Sequence, residues 1–475
     1  MHLSIQWIAE ALQGQIKRGN PETEYQGIST DSRSVKAGEI FLALKGDIFD
    51  GHNFIDEVIT KGALGVIVQS GTFVAPDRQG LIVIEVNDTL YALGECAAQY
   101  RRRYNIPIVA VTGSNGKTTT KEMIASILSI KKRVLKNQGN LNNVIGLPLS
   151  LLKLSCDHDV GVFELGMNRK GEIARLTKIA RPTVGIVTNV GPVHLEYLKT
   201  IDDVAEAKGE LFKNLPSGAT AIINRDDPII EKLSSKFSGK KITFGIRNHG
   251  DVTAKNIFAM GTDGIQFDLV IREKTFPVFL PMVGEHNVMN ALAAAGAVIA
   301  LGEHPVIIPE GLKNFRNLSL RQQLIALPEG ITIINDTYNA NPVSMKKALA
   351  TFSILKGASR GIVILGDMLE LGRHANVHHW ELGEEVAKTD VSFLLLMGEF
   401  SSQVREGACH GGLPSPAIFI GKTHQELVVF LRNVLSHGDW ILVKGSRRMA
   451  MEKVIEGLMH EENPRNPKQP RGEGK

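Results

Sequence analysis

Lys117, Thr118, Glu164, His194 and Lys208 are side chains of the types that handle phosphate and divalent cations. The first two sit in "AVTGSNGKTTTKEM", residues 110–123, between a β-branched strand, "IVAVT", and a helical pattern, "TTTKEMIASILSI". A helix start offers unpaired N–H groups and a partial positive charge. Gly113 and Gly116 let the backbone of Ser114, Asn115 and Thr119 wrap an anion without side-chain clash. Lys117 supplies a mobile charge to outer phosphates, and the Thr118 hydroxyl suits magnesium. The commonest phosphate loop, G-x-x-x-x-G-K-[ST], would need glycine where Val111 stands; here Gly113 makes a tighter loop. Glu164 ends the strand "VGVFE", where nucleoside triphosphatases keep an acidic metal ligand, though a lone strand-end acid is usually just solvated. His194, just past "VGIVTNV", reads on its own as a structural histidine. Lys208, between Glu206 and Glu210, reads on spacing alone as a surface lysine among acids.

These residues need a scaffold that gathers strand ends. Apolar strands alternating with helices, as in "DVGVFELG", "PTVGIVTNVG" and "GATAIINRDD", predict a mostly parallel sheet covered on both faces. Ligands then bind beyond the carboxyl ends of the strands. The fold expected is α/β in three domains. Residues 1–104 form a smaller N-terminal α/β domain. Residues 105–312 hold the phosphate loop and a central, P-loop-type sheet. Residues 313–460, with "ITIINDTYNANP", "GIVILGDMLELG" and "DWILVKGSRRM", form a Rossmann-like domain, and 461–475 form a disordered tail. The stretch 251–284 is expected to make antiparallel hairpins.

A formal charge of +4 over 475 residues asks for neither nucleic acid nor an anionic membrane. The run Arg101-Arg102-Arg103 reads as a solvated helix face. Three scattered cysteines give no disulfide framework or metal spacing. The N-terminus lacks a signal-peptide pattern, and no segment reaches the roughly 18 apolar residues of a membrane span. A cytoplasmic monomer is expected.

"TGSNGKTTT", "NLNNVIGLP", "FELGMN", "TNVGPVHLEYL", "AKGE", "GEHNVMNALAA", "DTYNANP", "LGDMLELG" and "VKGSR" follow one another in that order. Together they resemble the Mur ligase family, the ATP-dependent amide ligases of peptidoglycan synthesis, over nearly the whole chain. The short glycine spacing is that family's form of the loop. "DTYNANP", "GDMLELG", "STDSRSVKAGEIFLALKG" and "DGHNF" point within it to ligation of D-alanyl-D-alanine to UDP-N-acetylmuramoyl-tripeptide, through an acyl phosphate and with release of ADP.

The resemblance implies roles. Lys117 and Thr118 hold ATP phosphates and a first magnesium ion, Glu164 is its acidic ligand, and His194 and a carbamylated Lys208 serve a second ion. Asn287 and Asn290, three apart at a helix start, face the adenine; Asn287 alone reads as an N-cap. Arg321 and Asp336 lie near phosphates and ribose. Asn143 touches the transferred phosphate, with Asn142 competing. Ser29, Asp31, Ser32, Arg33, Lys45, Gly46, Asp50 and His52 resemble a UDP-sugar pocket. Asn339, Asn341, Asp367, Lys444, Ser446 and Arg447 face the incoming dipeptide, with Lys444 or Arg447 on its carboxylate. Folylpolyglutamate synthase, which shares the loop, and a non-ligating nucleotide switch are the competing readings.

Overall fold

The computed structural model describes residues 3–46, 49–71, 80–316 and 318–459; the expected disordered tail, 461–475, lies outside them. Strand Ile108–Thr112 is buried at every position. Such continuous burial is what a parallel strand covered on both faces requires. It pairs in parallel with Val160–Glu164 on one side and Val184–Val187 on the other. It is therefore a topological switch point, where the chain leaves for opposite halves of the sheet and a crevice opens at the carboxyl edge.

Val134–Lys136 closes one side of this sheet, and Thr220–Asn224 and Lys240–Phe244 extend the other. The expected hairpins form: Val252–Ala259, Ile265–Ile271 and Lys274–Leu280 pair antiparallel. Phe244 pairs with Val252 and the sheet runs on to nine strands.

Helix Lys117–Leu128 buries Met123, Ile124, Ile127 and Leu128 on one face of that sheet, beside the alanine-rich helix His286–Ala300. Helices Glu172–Ala180 and Ile201–Asn214 cover the other face. Ile201–Asn214 starts at a Thr200 cap in a reciprocal capping box with Asp203.

A six-stranded sheet carries the last region. Its order is Gln323–Ala326, Thr332–Asp336, Trp440–Lys444, Gly361–Gly366, Phe393–Met397 and Ile418–Ile420, parallel apart from the first strand. One apolar cluster continues from the helices under the nine-stranded sheet into helix Pro342–Lys356 and strand Gly361–Gly366. The N-terminal region has a five-stranded sheet, parallel except for the edge strand Gln15–Arg18.

The basic run at 101–103 departs from expectation. Arg101 is buried and donates to the carbonyls of Ala180, Tyr104 and Ile106 at 3.2, 2.6 and 2.8 Å. It ties the end of helix Thr89–Arg102 to the helix below the nine-stranded sheet. Arg101→Met should therefore leave buried carbonyls unpaired and lower stability by about 2–4 kcal/mol, whereas exposed Arg102→Ala should stay within about 0.5 kcal/mol. Denaturant titration of the two variants checks this.

Candidate functional site

The carboxyl ends of the nine- and six-stranded sheets face one cleft of about 1240 Å³. At its centre, Gly113 (φ 146°) and Gly116 (φ 79°) hold a conformation that favours glycine. A Cβ on Gly113 would overlap the Thr188 hydroxyl, and one on Gly116 the side-chain oxygen of Asn290. Asn189 clasps the loop between them: its Oδ1 accepts from Asn115 N at 2.9 Å and its Nδ2 donates to Asn115 O at 3.0 Å.

Lys117 folds back over this loop and donates to the carbonyls of Gly113 and Ser114 at 2.9 and 3.3 Å. Lys208 donates to the same Gly113 carbonyl at 3.0 Å and is only 1% exposed. It is no surface lysine. It lies on the buried stripe with Val204 and Leu211, while Glu206 bonds Lys170 at 2.8 Å and Glu210 accepts from Gly171 N at 2.7 Å. Burial, and then the neighbouring Lys117 charge, drive Lys208 well below the usual lysine range; Glu164 opposes this. Burial also lowers Lys117, with Glu164 acting against it and Arg321 with it. A shift in this direction favours the unprotonated amine, the form that can act as a nucleophile.

Thr118 Oγ1 donates to Glu164 Oε2 at 2.7 Å and accepts from Arg321 Nη2 at 2.9 Å. Asn142 Nδ2 donates to the other Glu164 oxygen at 2.8 Å. The Arg321 guanidinium sits 3.8 Å from the centroid of Tyr338. His194 Nδ1 lies 2.6 Å from Glu370 Oε2. That hydrogen bond holds the Glu370 carboxyl below its usual range, against the effect of burial.

Asn287 and Asn290 line the cleft from helix His286–Ala300. Asn287 is inside the helix, not its cap, which is Glu285. Asn290 Nδ2 donates to Asn287 Oδ1 at 3.0 Å, and Asn290 Oδ1 accepts from Thr120 at 3.4 Å, so this pair also braces the phosphate loop.

Residues 111–298 match the family described as Mur ligase middle domain, 320–447 the Mur ligase glutamate ligase domain, and 24–101 the Mur ligase family catalytic domain. UDP-N-acetylmuramoyl-tripeptide–D-alanyl-D-alanine ligase of Bacillus subtilis is 34% identical over 460 residues, 96% of this chain and 98% of the relative. The chain belongs to the Mur ligase family. MurF from Acinetobacter baumannii superposes with a TM-score of 0.89 at 34% identity, covering 97% of this chain and 99% of that one. MurF ligase from Thermotoga maritima in complex with ADP gives a TM-score of 0.80 at 28% identity, covering 91% of this chain and 97% of that one. The mixed α/β fold, with its several mostly parallel sheets, is that of these neighbours. Folylpolyglutamate synthase of Mycobacterium tuberculosis, at 14% identity and a TM-score of 0.62, shares the fold alone.

Within this Mur ligase, some residues fall away from the cleft. Asn143 turns its Oδ1 to Ile145 N and Gly146 N, at 3.1 and 2.8 Å, and fastens the turn that leads into helix Gly146–Leu151. Its neighbour Asn142 is the one in the cleft. Asp367 accepts from Glu399 N and Phe400 N at 2.8 and 3.2 Å, fastening an adjacent loop. Lys444 lines the cleft with its charge matched by Asp336 at 2.6 Å, and it also donates to Asn339 O at 2.9 Å. Arg447 pairs with Glu452 at 2.6 Å, and Ser446 Oγ accepts from Leu369 N at 2.9 Å. Asn341 caps helix Pro342–Lys356 and reaches Asn115 Oδ1 at 2.7 Å.

The N-terminal candidates form their own group outside this cleft. Ser29 ends a strand paired in parallel with Glu39–Leu42, so Asp31, Ser32 and Arg33 share a sheet edge with Lys45 and Gly46. Asp31 pairs with Arg33 at 2.8 Å, which, with their other hydrogen bonds, brings its carboxyl down to about 2. His52 Nε2 accepts from Gln69 N at 3.0 Å, so its Nδ1 carries the proton toward Asp50 Oδ1, 2.5 Å away.

Asn189 and Glu370 escaped the sequence reading; both stand beside strand ends within motifs it quoted, "TNVG" and "GDMLELG". Gly116→Ala should weaken ADP binding at least tenfold. A Cβ in the left-handed region costs about 1–2 kcal/mol, so the unliganded loop relaxes away from this conformation and binding must restore it, roughly a decade in affinity, before the overlap with Asn290 is counted. Calorimetric titration with ADP measures it.

Proposed function

We propose that the chain is an ATP-dependent, ADP-forming ligase that joins the amine of D-alanyl-D-alanine to the terminal carboxylate of UDP-N-acetylmuramoyl-tripeptide. The observation that carries this reading is the meeting of the phosphate loop, with Thr118 and Glu164, and the strand ends of the last sheet in one cleft. A carboxylate is a poor electrophile. In the first step its oxygen bonds to the γ-phosphorus of ATP and ADP leaves, giving an acyl phosphate. In the second the dipeptide amine attacks the acyl carbon, and inorganic phosphate leaves. Catalysis is then charge neutralisation and positioning.

In this reading Lys117 exchanges the Gly113 and Ser114 carbonyls for the outer phosphates, and Arg321 meets them from the opposite side of the cleft. The loop N–H groups cradle the anion. Tripeptide and dipeptide arrive from the N-terminal loops and the last sheet's loops respectively. Lys444 and Arg447 are each paired with an acid, Asp336 and Glu452, so the dipeptide carboxylate would take the place of one of these partners.

Thr118 and Glu164 offer hard oxygen donors side by side. Among the described residues no cluster of three or more His, Cys, Asp or Glu could hold a metal alone. Such a donor set fits magnesium that takes its remaining ligands from nucleotide phosphates and water. Bound there and near His194, magnesium neutralises phosphate and carboxylate charge. The buried Lys208 amine fits addition to carbon dioxide, with loss of a proton, to give a carbamate whose oxygens could ligate metal as an ammonium cannot. The same reading makes the protein a cytoplasmic monomer; no helix among the described residues is long and apolar enough to cross a membrane.

Protein, ATP, magnesium and D-alanyl-D-alanine with UDP-tripeptides carrying diaminopimelate or lysine should yield a product heavier than the UDP-tripeptide by one dipeptide less water. ADP release should depend on the dipeptide, and glutamate with a folate acceptor should give none. Dipeptide-independent phosphate release would defeat the proposal. Lys208→Ala should lose about 10²-fold or more in rate and partly recover with added short carboxylates. Full activity without them would remove the carbamate.

A further inference from the structure

The contact between His194 and Glu370 joins the two sheets, and its geometry says more than proximity. An ionised carboxylate only accepts, so Nδ1 of His194 carries the proton it shares with Glu370 Oε2 at 2.6 Å. In the neutral ring this is the Nδ1–H tautomer, whose lone pair is on Nε2. Among the described residues nothing bonds Nε2, and the ring lines the cleft.

Both partners sit in unusual backbone. His194 has φ 56° and Glu370 φ 64°, a left-handed region that residues with side chains seldom adopt and that surrounding structure must impose. The imposing contacts are visible. Glu196 N donates to the Glu370 carbonyl at 3.0 Å, so main chain as well as side chain crosses the cleft here. Behind Glu370, Leu369 N donates to Ser446 Oγ at 2.9 Å and Met368 N to the buried His379 Nε2 at 2.9 Å. His379 in turn donates from Nδ1 to Ala375 O at 2.7 Å. The last sheet's own framework thus aims Glu370 at a histidine of the other sheet.

We propose that Glu370 is a positioning residue that fixes the Nδ1–H tautomer of His194 from across the cleft, so that the Nε2 lone pair is offered to a cation only while the two sheets are docked. A carboxylate behind a ligating histidine orients the ring and raises its basicity. Here that carboxylate is supplied by the opposite half of the site. Docking and cation affinity are consequently linked, and linkage is reciprocal: a cation on His194 favours the docked arrangement.

The inference rests on the ligase reading for its cation, but its test does not need turnover. In protein labelled with ¹⁵N-histidine, the His194 ring signals, assigned by their loss in His194→Gln, should report one Nδ1–H tautomer in the parent chain. Glu370→Ala and the shorter Glu370→Asp should give mixed tautomers, and Glu370→Gln, which keeps an acceptor oxygen, should retain the parent form. In the ligation assay Glu370→Ala should raise the half-maximal magnesium concentration about tenfold or more, with KM for the UDP-tripeptide unchanged, and Glu370→Gln should stay within about threefold. Unchanged ring signals in both Glu370→Ala and Glu370→Asp, or an unchanged magnesium requirement in Glu370→Ala whatever its kcat, would overturn the proposal. A chain that fails to ligate yet shows the tautomer change rejects the ligase reading and keeps this one.

Discussion

Two lysine amines share one carbonyl at the mouth of the nine-stranded sheet. Lys117 and Lys208 both donate to Gly113 O, at 2.9 and 3.0 Å, and burial lowers both. Two ammonium groups cannot both be comfortable on one oxygen in a buried space. The arrangement becomes balanced only when anions arrive or one amine gives up its charge. In the proposed reaction nucleotide phosphates would answer the first requirement for Lys117. A Lys208 that gave up its proton and took on a carbamate would answer the second. The left-handed glycines, the Thr118–Glu164 pair and the strand order around Ile108–Thr112 hold this unstable centre of charge in place.

The strength of that hold comes from polar side chains with no chemistry of their own. Asn137 is a clear case: its amide accepts from Glu164 N and donates to Glu164 O, at 2.9 and 3.0 Å, like a short extra strand. Lys121, buried in the helix after the loop, donates to the Asn137 carbonyl at 2.6 Å. The Glu164 carboxylate is thus fixed through its backbone before Thr118 and Asn142 fix its oxygens. A carboxylate held in this way would lose little further conformational freedom on engaging a cation.

The parallel sheets and the phosphate loop were legible in the sequence because strand burial and glycine spacing are local properties. Lys208 was legible in principle: Val204, Lys208 and Leu211 make an apolar helical stripe that places the lysine inward, while Glu206 and Glu210 share another face. Reading only its immediate neighbours hid that. Arg101 was misread for the same reason, since its partners at Ala180 and Ile106 lie on other elements. Asn142 and Asn143 are adjacent in the chain and chemically identical, so only the direction each side chain takes could separate a cleft residue from one that braces a turn. Glu370 answers to a histidine 176 positions away, a pairing no local pattern encodes.

The ties across the cleft share one property that bears on how a two-step ligase avoids squandering ATP. Arg321 crosses to Thr118, Asn341 to Asn115 and Glu370 to His194. Each ends on a residue expected to meet phosphate or metal. If these residues hold the nucleotide as proposed, docking of the last sheet and completion of its site would be one structural event, without a separate signal between them. Nucleotide bound to the nine-stranded sheet alone would lack the Arg321 charge and the oriented histidine, and water in an open cleft would meet an incomplete site. Because the last sheet also carries the loops proposed for the dipeptide, the arrangement that activates the carboxylate would be the one that already holds its amine acceptor nearby. An acyl phosphate formed there would face its intended nucleophile before solvent.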